Sequence, residues 1–271
     1  MKTQRHFLST FCRRSPQRAR VQWASLLMAI ASAVVANTVP LGALAQTYIP
    51  PDRGLPGRRE GGGTRGCWSS ASVQASQQKL TAIVPEQNFG YTLQEYPSFL
   101  VYIPAFFAEG AVAAEFLLTD EEDNELYKLT YRTSNISGLV RIDLPTNANL
   151  PALEAGKDYR WYFTLMCDED DLSGALVVDS WIQRIEPTEA IATAIEQASP
   201  QDLPEIYAEA GIWYDAASQV ANLSNMSNSG AVAVAWRNLL NSVGLESITD
   251  DIVGDSVTSA KPSQVEVGMP E

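Results

Sequence analysis

Between residues 79 and 186, short apolar runs alternate with turn-forming clusters at the spacing of an all-β sandwich. The pattern predicts seven strands: Leu80–Val84, Ser98–Ile103, Ala113–Thr119, Glu125–Tyr131, Leu139–Leu144, Asp158–Cys167 and Ala175–Ile185. Two connections, 120–124 and 168–174, are rich in Asp, Glu, Asn, Ser and Gly and read as hairpin tips. The sixth strand has the clearest two-residue period. Tyr159, Trp161, Phe163, Leu165 and Cys167 share one face, the expected core side, and Arg160, Tyr162, Thr164 and Met166 share the other. From Pro187 the period lengthens to that of helices: Ile191, Ala194, Ile195 and Ala198 form one stripe, and Leu203, Ile206, Tyr207 and Ala210 the next. Ser199-Pro200-Gln201-Asp202 reads as the start of the second helix, and Gly211 as its end or a bend. A third helix, Ile212–Ser224, turns Trp213, Ala216, Ala217 and Val220 inward. A fourth, marked by Val232, Ala235, Trp236, Leu239, Leu240 and Val243, stops at Gly244.

The run Leu153–Trp161 resembles the corner that leads into strand F of fibronectin type III and immunoglobulin-like sandwiches, where a tyrosine hydroxyl ties to nearby backbone. Tyr159 would take that part. The expected fold is therefore mainly β plus α: a seven-stranded immunoglobulin/fibronectin-like sandwich followed by a small antiparallel helical segment. Residues 207–217 resemble the turn of a tetratricopeptide repeat, and a single such unit cannot bury both its faces, so it must dock on the sandwich or on a partner. Tyr102, Tyr162, Trp181 and Trp213 then read as the seam beneath the helices or as a ligand platform. Trp181, Tyr162, Trp213 and Tyr214 are the candidate partner surface.

The sandwich is flanked by other compositions. Residues 46–78 are rich in Pro, Gly, Arg, Ser and Gln and read as a linker or extended arm; 187–248 form the helical segment; 249–271 are polar, acidic and aperiodic and read as a disordered tail. Residues 1–45 carry six basic and no acidic residues, an apolar run at 23–36 and Ala43-Leu44-Ala45, which together predict a signal peptide cut before Gln46. An uncleaved anchor is the rival reading, since 21–45 holds no charge. Both export the remainder, and after cleavage no stable membrane span is expected. Ser15-Pro16 after Arg13-Arg14 favours the general export route over the twin-arginine one.

That export changes the charge balance. The chain has 19 basic and 32 acidic residues; without the six basic residues of the leader, thirteen remain and the exported part stands at −19. Nucleic acid and anionic lipid are disfavoured partners. The only histidine, His6, leaves too, which removes Ser/His/Asp and Cys/His nucleophile pairs and His-bearing metal sites. Cys12 leaves, and the remaining pair, Cys67 and Cys167, predicts one disulfide in an oxidising compartment, with two separate buried thiols as the alternative. Gly61–Gly66 matches G-x-G-x-x-G by letter only, because neither strand nor helix flanks it in the required order; no cofactor is expected from it. The hairpin tips offer oxygen ligands for calcium: Asp120, Glu121 and Asp123 on one, Asp168, Asp170 and Asp171 on the other. They lack EF-hand spacing.

Pro51–Arg59 with Gly61–Cys67, followed in order by Leu80–Pro85, Asp120–Tyr127, Tyr159–Phe163, Trp181–Arg184 and Tyr207–Asp215, resembles the cyanobacterial family called domain of unknown function 928. The resemblance spans residues 50 to 248. It implies an exported protein of a photosynthetic bacterium, and it brings no catalytic residues with it.

The expectation is an exported, non-enzymatic protein of the cell envelope, a structural or protein-interaction adaptor whose partner is another exported or envelope protein. A carbohydrate-binding module, using calcium or an aromatic platform to hold glycan, is the second reading. A carboxylate-only glycan hydrolase is the third.

Overall fold

The strongest period-two signal in the sequence becomes the middle strand of a sheet. Tyr159, Trp161, Phe163 and Leu165 are buried, whereas Arg160, Tyr162 and Thr164, on the opposite face, are only half-buried. The structure is a computed structural model and describes residues 48–61, 68, 78–132, 136–146, 150–226, 229–252 and 258–259. All of these fall within one compact unit that begins at Ala45. The predicted leader, the glycine run 62–66 and Cys67 lie outside the described residues.

The strands are β1 (Glu60–Gly61), β2 (Leu80–Ala82), β3 (Phe89–Thr92), β4 (Ser98–Ile103), β5 (Ala113–Asp120), β6 (Glu125–Arg132), β7 (Gly138–Asp143), β8 (Asp158–Met166), β9 (Leu176–Arg184) and β10 (Thr258–Ser259). They form two sheets, ordered β1-β2-β4-β7-β10 and β3-β9-β8-β5-β6. Rings from the two sheets meet in the core: Phe99 of β4 lies 4.8 Å from Phe116 of β5 and 5.3 Å from Trp161 of β8. All seven predicted strands are present. β1, β3 and β10, of two to four residues, are additional to the predicted strands. β3 runs parallel to β9, with Phe89 opposite Trp181. The hydroxyl of Tyr159 accepts the backbone N–H of Glu154 at 2.9 Å, the tie expected of it.

Six α-helices occur among the described residues: α1 (Ala105–Gly110), α2 (Glu189–Gln197), α3 (Leu203–Glu209), α4 (Trp213–Met226), α5 (Gly230–Asn241) and α6 (Thr249–Ile252). α1 was not foreseen. It is a short connection between β4 and β5 that buries Phe107. α2 keeps only Ile191 and Ile195 half-buried against the core, so its stripe is narrower than its sequence suggests. The residues Ser199–Asp202 form a turn before α3, in which Ser199 Oγ donates to Asp202 at 2.6 Å; it is Pro204, not Pro200, that occupies the first turn of the helix. Gly211 (φ 73°) follows α3 and Gly244 (φ 71°) follows α5, in the left-handed backbone that terminates helices.

The helices are anchored through α4, which packs on α3, α5, β3 and β4. Trp213 Nε1 donates to the Ile83 carbonyl at 2.8 Å, and Trp236 Nε1 of α5 donates to Ser224 Oγ at 2.7 Å. A Cβ on Gly90 would stand 3.0 Å from Trp213 Cβ, which is why β3 carries glycine where the helix crosses it. Two aperiodic segments are ordered by isolated contacts. In the arm, Ile49 N–H reaches the Ala208 carbonyl at 3.1 Å and Tyr48 is buried. The disordered tail expected from 249 is corrected at both described parts: Thr249 and Ile252 of α6 are buried, and β10 pairs in parallel with β7.

Candidate functional site

The half-buried face of β8 and β9 carries a cross-strand group of ring and charge. Register sets Arg160 opposite Trp181 and Tyr162 opposite Asp179. The Arg160 guanidinium lies 4.8 Å from the Tyr162 ring centre and 5.3 Å from that of Trp181. Its Nη2 donates to Asp179 Oδ2 at 2.7 Å, so a buried carboxylate holds the cation beside both rings. Burial pushes the Tyr162 hydroxyl up, and Arg160 partly opposes that shift.

The arm straps one side of this face. Arg58 N–H donates to Asp179 Oδ1 at 3.1 Å, and Trp181 Nε1 donates to the Pro56 carbonyl at 2.9 Å. Arg53 caps the Phe89 ring at 4.7 Å and pairs with Asp158. The other two aromatic candidates are elsewhere. Trp213 and Tyr214 were expected on a partner surface but are 0% and 4% exposed, because the first turn of α4 enters the core and spends both rings there.

The acidic tips do not converge. Asp120 pairs with Tyr159 at the start of β8 and Ala113 with Met166 at its end, so the two tips stand at opposite ends of a strand spanning about 25 Å. Asp120 accepts the Asn124 N–H at 2.8 Å and the Glu122 N–H at 3.1 Å, and these bonds with the Asn124 side chain hold its carboxyl below the usual range. Asp168 accepts the Asp170 N–H and Asp171 the Ser173 N–H, each at 2.9 Å. These carboxylates cap their own turns, while Glu121, Asp123 and Asp170 are exposed. Among the described residues no group of three or more His, Cys, Asp or Glu is placed to hold a metal.

A recess of about 150 Å³ beside Asp120, Glu154 and Asp158 gathers carboxylates. Glu154 pairs with Lys157 at 2.8 Å and Asp158 pairs with Arg53.

A second polar site escaped the sequence reading. Asp215, Ser218, Gln219 and Asn222 follow helical spacing along α4 and line a cavity of about 190 Å³ with Thr92, Gln94 and Arg141. The Asp215 carboxylate accepts Thr92 Oγ1 at 2.6 Å, Gln94 Nε2 at 2.9 Å and Leu93 N–H at 3.2 Å. Burial pushes its carboxyl up against the pull of these bonds. The signal was the i, i+3, i+4, i+7 polar stripe within the helix.

A family model described as Domain of Unknown Function (DUF928) matches residues 60–253. The chain belongs to the DUF928 family. No curated protein and no solved structure matches it. The DUF928 span holds both Arg160 with its rings and the Asp215 cavity, but Arg53, Pro56 and Arg58 of the strap precede it. Among the described residues of this DUF928 chain no helix is long and apolar enough to cross a membrane. Cys167 follows β8 and is half-buried; its expected partner Cys67 is outside the described residues.

Proposed function

We propose that the protein is an exported, non-enzymatic envelope protein that binds another exported protein through the outer face of the β8–β9 pair. The observation that carries this reading is the half-buried row of Tyr162, Arg160 and Trp181. Tyrosine, tryptophan and arginine are the side chains that most often dominate protein interfaces, and here the cation is already fixed beside both rings, so little ordering remains to be done on binding. Arg58, exposed beside the row, favours a partner that brings acidic groups along with apolar surface. In this reading the two sheets form a fibronectin-like sandwich, with the tie to Tyr159 and the order β9-β8-β5-β6 opposite β2-β4-β7 as its support. The tetratricopeptide-like helices serve as a scaffold docked on it. The disulfide joins Cys67 to Cys167.

The test is affinity capture of the tagged, exported protein from its native envelope, with calcium and with chelator, beside a Tyr162→Ala variant. A protein partner retained in chelator and weakened about 30-fold by Tyr162→Ala is expected. A partner bound equally by the variant, or retention only on glycan in calcium, overturns the reading.

A further inference from the structure

The outer sheet face leaves the partly open cavity beside α4, with the exposed Gln94 at its edge, unexplained. Its walls bring together opposite charges that do not pair with each other. Arg141 of β7 donates through Nε to Asp143 at 2.6 Å and through Nη2 to Ser98 Oγ at 2.7 Å, and its Nη1 donates to Asn222 Oδ1. Asp215, only 4% exposed, is held by Thr92, Leu93 and Gln94. Both groups are therefore fixed before anything binds, which is the arrangement that makes polar recognition strong.

The chemistry of the walls selects the ligand. An anion would meet Asp215 and a cation would meet Arg141, whereas a neutral molecule with several hydroxyls donates to the carboxylate and accepts from the guanidinium. Asn222 gives its oxygen to Arg141, which turns its amide nitrogen into a donor for the cavity, and Gln219 one helical step away offers both kinds of group. Tyr96 and Pro97 supply an apolar wall. The volume, about 190 Å³, is several times a water molecule's share of the liquid and suits one small ring. We propose that the cavity between α4 and the ends of β3, β4 and β7 binds one sugar ring, free or at the end of a glycan chain.

The experiment is titration of the full exported chain with D-glucose, D-galactose, D-mannose, L-rhamnose and N-acetyl-D-glucosamine, followed by calorimetry and amide NMR, with glycine and inorganic phosphate as charged controls. Saturable binding of at least one sugar is expected, with amide shifts confined to α4, residues 92–98 and β7 around Arg141, and about a tenfold or greater loss of affinity in both Asn222→Ala and Gln219→Ala. These two side chains are only half-buried, and unchanged urea midpoints in the variants separate lost binding from lost folding. Maltotriose and chitotriose distinguish the sources: tighter binding than the single sugar assigns a chain end, equal binding a free sugar, and both support the site. No saturation by any of these sugars, shifts mapping elsewhere, variants that bind like the parent, or preferential binding of glycine or phosphate would overturn it. Its failure leaves the β8–β9 face standing, because the two sites share no residue.

Discussion

The indole N–H of Trp161, in the middle of β8, donates to the hydroxyl oxygen of Tyr214, in the first turn of α4, at 2.7 Å. The same hydroxyl donates onward to the Trp181 carbonyl of β9 at 3.0 Å. One tyrosine thus joins the helices to the neighbouring strands β8 and β9. Removing that hydroxyl with Tyr214→Phe leaves a fully buried indole N–H without its acceptor while changing the packed volume little. The expected cost is about 1–3 kcal/mol, read as a lower urea midpoint at unchanged m-value. An unshifted midpoint would show that water replaces the hydroxyl.

Gly57 sits where a side chain does not fit. A Cβ there would run into the Asn88 amide and come within 2.9 Å of Asp179 Oδ2. Asn88 is itself buried and in the left-handed region at φ 56°, so it has little room to yield. Gly57→Ala is expected to lift the strap off β9, with faster amide exchange and earlier proteolysis at residues 53–61 and a loss of about 1–3 kcal/mol. Gly230→Ala, where a Cβ meets nothing within 4 Å, is the matched control and should leave exchange at the strap unchanged.

Asp215 gives stability a pH dependence of defined sign. Burial raises its folded-state pKa above the unfolded value of about 3.9, so the folded protein holds this proton to higher pH than the unfolded chain. Its contribution is full below that unfolded value and is lost as pH rises through the folded pKa. Arg141, Tyr96 and Tyr214 around the cavity and Tyr207 on α3 are ionisable groups near it. Asp215→Asn removes this titration, so the stability difference, variant minus parent, should increase with pH in urea titrations between about pH 4 and 7. A flat difference would mean that the hydrogen bonds from Thr92, Leu93 and Gln94 outweigh burial.

Cys67 and Cys167 are expected to be joined in the exported protein. Thiol titration after denaturation without reductant should find neither free, and the double serine variant should lose at most about 4–5 kcal/mol, the entropy of closing a loop of about 100 residues. Two titratable thiols would establish separate buried cysteines instead.

Arg160 is held by Asp179 as well as lying beside two rings, so its replacement should act on two readouts at once. Arg160→Met keeps the apolar stem but leaves a buried carboxylate with only the Arg58 backbone donor in place of the guanidinium. Stability should fall by about 3 kcal/mol, more than for Tyr162→Ala on the same face, when both are measured by thermal and urea unfolding. Equal losses would assign the Arg160–Asp179 pair no structural weight.

Local patterns carried as far as local physics reaches. The alternation in Asp158–Cys167 separated the buried face of β8 from its half-buried face, and the positions of Gly211 and Gly244 marked helix ends, since both features depend only on the backbone geometry of neighbouring residues. The acidic tips were legible as turns, but not their carboxylates' engagement with their own backbone N–H groups. Asp120 accepts the Asn124 N–H in this way and Asp171 the Ser173 N–H.

The sequence by itself determined where seven of the described strands and the helices α2–α5 fall, which face of β8 is apolar, and that the helical segment must dock somewhere. Only the tertiary structure decided where. It buried Trp213 and Tyr214 rather than displaying them, ordered the aperiodic arm through Arg58 and Asp179, which are 121 residues apart, and enclosed Asp215 with Thr92, 123 residues away. Periodicity records which side of an element avoids water; it holds no information about which distant backbone or side chain will cover that side.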